Sequence, residues 1–344
     1  KLSINLNILF PTIIFIFLCF ILPKIFNNLC LLKNNLNKTH NINIQEASLT
    51  GGICLIITLL SFHLVSKNFF YIEFATLILF IGLLSDADII KSPKKRLFLI
   101  VIIIGLFSLI ENFIIINTNV KYIDQLIKYS NLSSILFFIF CISILINGCN
   151  FIEGINNNLN FYFLCSNIII SLLKLDLGLN FDINILLIFI SLIFILFNFF
   201  DKIFFGDSGA YLIGFIIGVD LVNLFNANNE ISKFFAVLIV FYPCFEVLFS
   251  MIRKYFFKYS PLSADSDHLH SILVTFLIKK KEKKLAHLMA SFFLNIIFII
   301  PVMYNFNKFD NTKSILISII IVMCVYLILF SVVKKLNKLF KEIN

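Results

Sequence analysis

The sequence has no tryptophan and little charge: Asp, Glu, Lys and Arg make up 14% of its 344 residues, against about 25% in ordinary soluble domains. That deficit argues against a soluble enzyme. No Cys-x-x-Cys pair occurs, and no histidine stands at zinc spacing from a cysteine, so the usual metal-binding and redox cysteine motifs are absent. The eight cysteines (Cys19, Cys30, Cys54, Cys141, Cys149, Cys165, Cys244 and Cys324) lie mostly inside apolar runs and read as small buried hydrophobes. Without tryptophan, an interfacial belt must be built from the ten tyrosines and the flanking lysines. What the chain has in abundance is apolar residues, 60% of the total, with a mean hydropathy of +1.00. Disorder, collagen and a disulfide-stapled secreted scaffold are excluded by the same composition. The 28 Lys+Arg against 19 Asp+Glu give a net charge of +9, a balance that suits nucleic acid or an anionic membrane surface. The basic residues sit between apolar runs, so the partner read here is membrane lipid and not nucleic acid.

Apolar stretches recur at about 6–26, 49–67, 69–84, 97–116, 132–149, 159–175, 183–200, 209–226, 233–251, 287–306 and 314–333. They approach the roughly 20 residues that a spanning helix needs and are too long for barrel strands, and lipid offers the backbone no hydrogen bonds, so they are expected to be α-helices. The run Leu6 to Phe26 has the apolar core of a signal peptide but no small-residue cleavage site, and it is kept as a membrane helix. No soluble domain fits between the runs and no internal repeat is visible. The expectation is one all-α, polytopic membrane domain over residues 1–344 with about eleven transmembrane helices. Twenty of the 28 Lys and Arg residues fall on one set of alternate loops. The more basic side faces the cytoplasm, so the N-terminus is placed outside and the C-terminus in the cytoplasm. The cytoplasmic loops are then about 27–48, 85–96, 150–158, 201–208 and 252–286.

Four polar segments fall on that face. Gly82 to Arg96 carries Asp86 and Asp88, a Ser-Pro break and a basic cluster. Its hard oxygen ligands suit a divalent cation on a pyrophosphate, and they equally suit a capped polar turn. Asn147 to Asn158 places Asn147, Asn150 and Glu153 three residues apart, so each is about 60° from the next on a helix. The alternative there is interhelical hydrogen bonding by asparagine. Asp201 to Phe215 contains Lys202 and the Gly206-Asp207-Ser208-Gly209 sequence just before an apolar run, where free N–H groups and a positive helix end favour an anion. Asp207 also reads as a plain N-cap. Ser260 to His270 ends in His268-x-His270, whose rings share a side only if the segment is extended; its alternative is a solvated loop. The lysines Lys279, Lys280, Lys281, Lys283 and Lys284 that follow suit anionic headgroups.

Taken together, Asn-x-x-Asn-Phe-Ile from Asn147, Gly-Asp-Ser-Gly from Gly206 and Ser-Pro-x-Ser-Ala-Asp-x-x-His-x-His from Ser260 resemble the polyprenyl-phosphate N-acetylhexosamine-1-phosphate transferases. That group holds the muramoyl-pentapeptide and N-acetylglucosamine phosphotransferases of bacterial cell-envelope synthesis. Thr50-Gly51-Gly52, after Lys38-Thr39-His40, is similar to an early Leu-Gly-Gly stretch of the family. The resemblance runs from about Lys38 to His270. It implies a multi-pass enzyme of the bacterial inner membrane that moves a sugar-1-phosphate from a UDP-N-acetylhexosamine to undecaprenyl phosphate, with Mg²⁺ or Mn²⁺, releasing UMP at the cytoplasmic face. Such a transfer would be the first step of a cell-envelope glycan such as O-antigen or peptidoglycan; dimers occur in the family. The last loop lacks a His-His-His cluster, which points to N-acetylglucosamine or a related aminosugar.

Residue by residue, the resemblance makes Asp86 the second of two paired aspartates, Asp207 the metal-binding aspartate, and His268 and His270 the family's His-x-His. Ser85 stands where the first paired aspartate is expected, and Glu153 where an aspartate is. Asp88 is the carboxylate available to stand in for the first. The roles expected are metal binding by Asp207 and Glu153, catalysis by Asp86, Asp88 and Glu153, and substrate phosphate binding by Asn147, Asn150, Lys202, His268 and His270. Two other readings remain: an inactive relative, and a transporter drawing on Glu73, Glu111, Asp220 and Glu246 in or near apolar runs.

Overall fold

The structure is a computed structural model and describes residues 6–28, 32, 47–66, 71–256, 258 and 267–343. Cys30, the Lys38-Thr39-His40 segment and residues Ser260 to Ser266 lie outside them. The described residues form α1 (Leu6–Asn28), α2 (Gly51–Ser66), α3 (Ile72–Asp86), α4 (Pro93–Ile110), α5 (Lys121–Tyr129), α6 (Asn131–Ile152) and α7 (Asn158–Asp176). They continue with α8 (Asp182–Phe199), α9 (Gly206–Ala227), α10 (Lys233–Ile239), α11 (Phe241–Phe256), α12 (Leu269–Ile278), α13 (Lys283–Asn305) and α14 (Thr312–Ile343). Local sequence sets several of the boundaries. Pro93 occupies the first turn of α4, where its missing N–H costs nothing, and Ser130 and Ser133 form a reciprocal capping box that starts α6.

Each expected apolar stretch contains a helix, although α4 ends at Ile110, before the stretch 97–116 does. Among the described residues seven helices are long and apolar enough to cross a membrane, or eight if α10 and α11, bent by 74° at their junction, count as one span. The difference from the eleven expected lies in α2, α3 and α4. The first two have 16 and 15 residues, about 24 and 22 Å at 1.5 Å per residue, and α4 opens with Pro-Lys-Lys-Arg. The break between α10 and α11 was not visible as a break in hydropathy, since both halves are apolar. The cysteines are also more varied than expected: Cys19, Cys54 and Cys149 are buried, Cys141, Cys165 and Cys244 are half-buried, and Cys324 is exposed on α14.

Helix α9 is the centre of the bundle, with 89% of its apolar window buried. It packs most extensively against α3 and α6, and also against α2 and α7. Its first turn is seated by close backbone approach. A Cβ on Gly52 of α2 would lie 2.6 Å from the backbone nitrogen of Gly209, and one on Gly82 of α3 would collide with the backbone of Asp207 and Ser208. The chain before α2 runs beside the chain before α9: Ser48 N–H donates to the Lys202 carbonyl (3.3 Å), Phe204 N–H to Ser48 (2.9 Å) and Gly51 N–H to Phe204 (2.9 Å). The Thr50-Gly51-Gly52 sequence is therefore a docking strip for the start of α9.

Further along α9, Asp220 is buried and bonded to Lys174 Nζ of α7 (2.6 Å) and to Asn184 Nδ2 of α8 (2.8 Å); Asn184 Nδ2 also reaches Asn167 Oδ1 (3.1 Å). Removing one partner of a buried ion pair strands the other charge at a cost of about 3–5 kcal/mol, whereas apolar replacement of both is often near neutral. Asp220→Ala is therefore expected to lower thermal stability in detergent by that order, and Lys174→Met with Asp220→Leu to recover most of it. Equal losses in the single and double variants would show that the pair is not what holds these three helices.

Candidate active site at the start of the central helix

The first turn of a helix presents unpaired N–H groups and a partial positive charge. In α9 these groups are met by carboxylates from two other helices. Asp86, the last residue of α3, accepts from Asp207 N–H through Oδ1 (2.8 Å) and from Ser208 N–H through Oδ2 (3.1 Å). Glu153, at the end of α6, accepts from Gly206 N–H (2.6 Å). Gly206 has φ +72°, in the left-handed region. A Cβ there would lie 2.6 Å from Asp86 Oδ2.

Asp207 itself points away from its helix. Its Oδ1 accepts from Asn150 Nδ2 of α6 (2.6 Å), and its Oδ2 accepts from both Arg96 of α4 and Ser85 Oγ of α3. Arg96 also donates to Ser85 Oγ (2.6 Å). Three carboxylates thus meet one guanidinium, and the excess negative charge shows in their protonation. Burial, and then the charge of Asp207, push Asp86 up to about 7. Burial, followed by the charges of Asp86 and Asp207, pushes Glu153 well above the usual carboxylate range.

Beside this cluster lies a cavity of about 680 Å³ between α4, α6, α11 and the start of α12. Arg96, Asn150, Lys254, His268 and His270 line its polar end, and Leu97, Val101, Leu136, Ile139, Phe140 and Ile144 its apolar end. Leu136 and Phe140 are more than half exposed, so the apolar end reaches the outer face of the bundle. Two buried polar atoms on the wall have no hydrogen-bond partner, Nε of Arg96 and Nδ1 of His270. Buried groups of that kind call for an occupant.

The four sequence segments do converge, although not every residue plays the expected part. Asp207, Asn150, Glu153 and Asp86 form one hydrogen-bonded cluster, and His268 and His270 stack beside it with ring centroids 5.5 Å apart and planes within 5°. His268, the N-cap of α12, has extended backbone angles and His270 is the second residue of that helix, which puts both rings on one side. Burial pushes His270 down to about 3, so it is a neutral ring and not a cation for phosphate. Asn147 lines the cavity, but its Nδ2 donates to Ser143 of its own helix (2.8 Å). Lys202 is exposed with its Nζ 6.0 Å from the Phe197 ring centroid, away from the cavity lining. Asp88 is exposed with φ +56° and is likewise not part of the lining. Arg96 and Lys254 join the site with no motif to mark them; Arg96 belongs to a basic loop by sequence, yet it lies three residues after Pro93, on the first turn of α4.

Among the described residues no three His, Cys, Asp or Glu side chains are grouped to cage a metal ion. Mg²⁺ seldom uses such a cage; it takes one or two carboxylates and completes its shell with water and substrate phosphate. Asp207 and Glu153, with the carbonyl oxygen of Asn150, are a donor set of that kind, so the residues fit a shared protein and phosphate site. Left-handed backbone beside a carboxylate makes position 206 the most sensitive in the cluster. Gly206→Ala is expected to cost on the order of 1–3 kcal/mol in thermal unfolding, more than Ala at Gly178, which also has positive φ but faces open space. A smaller loss at 206 than at 178 would contradict this geometry.

Residues 68–225 match the family described as Glycosyl transferase family 4. The chain is 26% identical over 136 residues to the undecaprenyl-phosphate alpha-N-acetylglucosaminyl 1-phosphate transferase of Thermotoga maritima, covering 40% of this chain and 42% of that protein. It is 30% identical over 106 residues to the probable undecaprenyl-phosphate N-acetylglucosaminyl 1-phosphate transferase of Bacillus subtilis, covering 30% of this chain and 29% of that one. The matches thus span less than half the length of these curated relatives. The matched stretch contains Ser85, Asp86, Arg96, Asn150, Glu153 and Asp207, the residues assembled around the first turn of α9, so it is this part of the chain that is similar to glycosyl transferase family 4.

Proposed function

We propose that this protein transfers an N-acetylhexosamine-1-phosphate from a UDP-sugar to undecaprenyl phosphate at the cytoplasmic face of a bacterial inner membrane, as the entry step of a cell-envelope glycan. N-acetylglucosamine, named for both relatives, is the first donor to try. The observation that carries the reading is the two-ended cavity: an apolar trough open toward lipid, ending in Arg96, Lys254 and the histidines beside Asp207. A polyprenyl chain suits the trough, and a phosphate suits the polar end, where Arg96 Nε has no partner.

In the transfer, an oxygen of the lipid phosphate forms a bond to the sugar-bearing phosphorus, the bridging P–O bond breaks, and its electron pair leaves with UMP. The lipid phosphate is already an anion, so little proton removal is needed, and the task is to bring two anions together. Arg96 and Lys254 supply positive charge at the polar end. Asn150 holds Asp207 by its Oδ1, while Asp86 and Glu153 fix the N–H groups of α9. Asp207 and Glu153 would hold Mg²⁺ or Mn²⁺, which when bound supplies charge neutralisation on the pyrophosphate. Asp86 acts in this scheme by holding α9, since both its oxygens are occupied there. Two of the four carboxylates that favoured a transporter have internal partners: Asp220 pairs with Lys174, and Glu246 with His268 and Tyr326.

Purified protein with undecaprenyl phosphate and a panel of UDP-N-acetylhexosamines is expected to release UMP from one donor in the presence of Mg²⁺. Asp207→Asn is expected to reduce that release by about 10²-fold or more, the scale on which lost electrostatic stabilisation acts. UMP release unchanged in the variant, or unchanged by chelator, would remove the assignment of the metal site.

The crowded carboxylates give a second expectation. Asp86 titrates near 7 in the fold and near ~3.9 when unfolded, so between those values the native state binds more protons. Below about 6.5 the buried neutral His270, pushed down to about 3, gives the opposite slope, so metal-free stability should fall as pH rises from about 6.5 to 8. Added Mg²⁺ should flatten that slope by raising the melting temperature at about pH 8 more than at about pH 6.5. A metal-free melting temperature that climbs with pH across this range would contradict the carboxylate crowding.

A further inference from the structure

Glu246 lies on α11, 1% exposed, outside the cluster at α9. No element of the transfer scheme uses it, yet it is among the most fully hydrogen-bonded carboxylates in the chain. Its Oε1 faces Nδ1 of His268 (3.0 Å) and accepts from Leu269 N–H (3.2 Å). Its Oε2 accepts from Tyr326 OH of α14 (2.7 Å). Leu269 is the first residue of α12, so the same carboxylate satisfies one of that helix's free N–H groups and fixes where the helix begins.

An ionised carboxylate can only accept, so the His268 nitrogen facing it must carry a proton. That assigns the ring: Nδ1–H is committed to Glu246, and Nε2, on the far edge, is left for the cavity that His268 lines. The ring is clamped from other sides too. His270 stacks on it, and Phe151 meets it edge-on at 5.2 Å. His270 in turn sits against Gly154, where a Cβ would be 2.6 Å from its Nε2. Behind α12, Arg253 and Lys334 both bind Asp267, and Asn337 Nδ2 donates to Ile272 O (2.8 Å). Helices α11 and α14 thus form a bracket around the start of α12, with Glu246 as its buried centre.

We propose that Glu246, braced by Tyr326, is a positioning residue that fixes the tautomer and aim of His268, so that the Nε2 lone pair is presented to a hydrogen-bond donor of the substrate, a hydroxyl or N–H group. The proposal rests on the transferase reading for what enters the cavity, but not for the state of the ring.

Two-bond ¹H–¹⁵N correlation spectra of protein labelled in its histidine rings, with His268→Asn used for assignment, should show His268 protonated at Nδ1. Glu246→Leu should shift it toward the Nε2–H form and lower kcat for UMP release by about 10- to 100-fold, the scale on which losing the carboxylate that orients a metal-ligating histidine acts. Glu246→Gln keeps a carbonyl acceptor of the same reach and should retain the wild-type tautomer and most of the activity. In a His268→Ala background, Glu246→Leu should cause no further loss. Equal losses in the Gln and Leu variants, additive losses with His268→Ala, or an unchanged tautomer in Glu246→Leu would each overturn the proposal. A wild-type His268 that is neutral with a bare Nδ1 would overturn it without any variant, which covers the case of Glu246→Leu failing to fold. If wild-type protein releases no UMP from any donor, the transferase reading fails while the ring spectra still decide the role of Glu246.

Discussion

The unmet N–H groups at the start of α9 organise the rest of the molecule. A helix whose apolar window is 89% buried cannot leave its first turn facing lipid or protein without acceptors. Here the acceptors are the side chains of Asp86 and Glu153, brought by α3 and α6. Meeting that requirement draws two carboxylates to within hydrogen-bonding distance of a third residue's backbone, and Asp207 adds its own charge. The structure therefore satisfies one electrostatic demand by creating another. The second is met only in part by Arg96, and the carboxylates of Asp86 and Glu153 are held toward their neutral forms. Carboxylates crowded beside a polar cavity are the arrangement that the proposed transfer would use to take a cation together with an anionic substrate.

Much of this was legible in the sequence because membrane helices announce themselves by hydropathy and because polar groups at their ends have few competing explanations. The helical stretches, the convergence of four polar segments and the membership of Asp86, Asn150, Glu153 and Asp207 in one cluster all followed from that. Span number was less legible, since hydropathy finds apolar character and not length within a tilted or interrupted helix: α2 and α3 are short, and α10 and α11 meet at 74° with no polar residue marking the bend. Residue roles were the least legible. Lys202 stands five residues before Asp207 yet turns outward over Phe197, while Arg96, 111 positions away, reaches Asp207. Spacing along the chain carries no information about such partners. Glu246 looked like an intramembrane ion carrier for the same reason: its ligands are 22 to 80 residues distant.

Ser85 and Glu153 stand where the resembled family has aspartates, and the geometry suggests how they work together. Ser85 Oγ donates to Asp207 and accepts from Arg96, so it takes part in the cluster without adding a fourth negative charge. Glu153 is one methylene longer than aspartate, and the extra reach is used to meet Gly206 N–H from the end of α6. A cluster with one carboxylate fewer needs less cation to balance it, which makes Arg96 a larger share of the local positive charge.

The partners of Asp86 on the α9 backbone lie 121 and 122 residues further along the chain. During synthesis, α3 is made long before α9 exists, and its terminal carboxylate has no amide to receive. A ribosome paused anywhere before residue 206 would hold a chain with several inserted helices and no site at all. The carboxylate cluster thus waits on the ninth helix, whose amides are the ones that the acids of α3 and α6 receive.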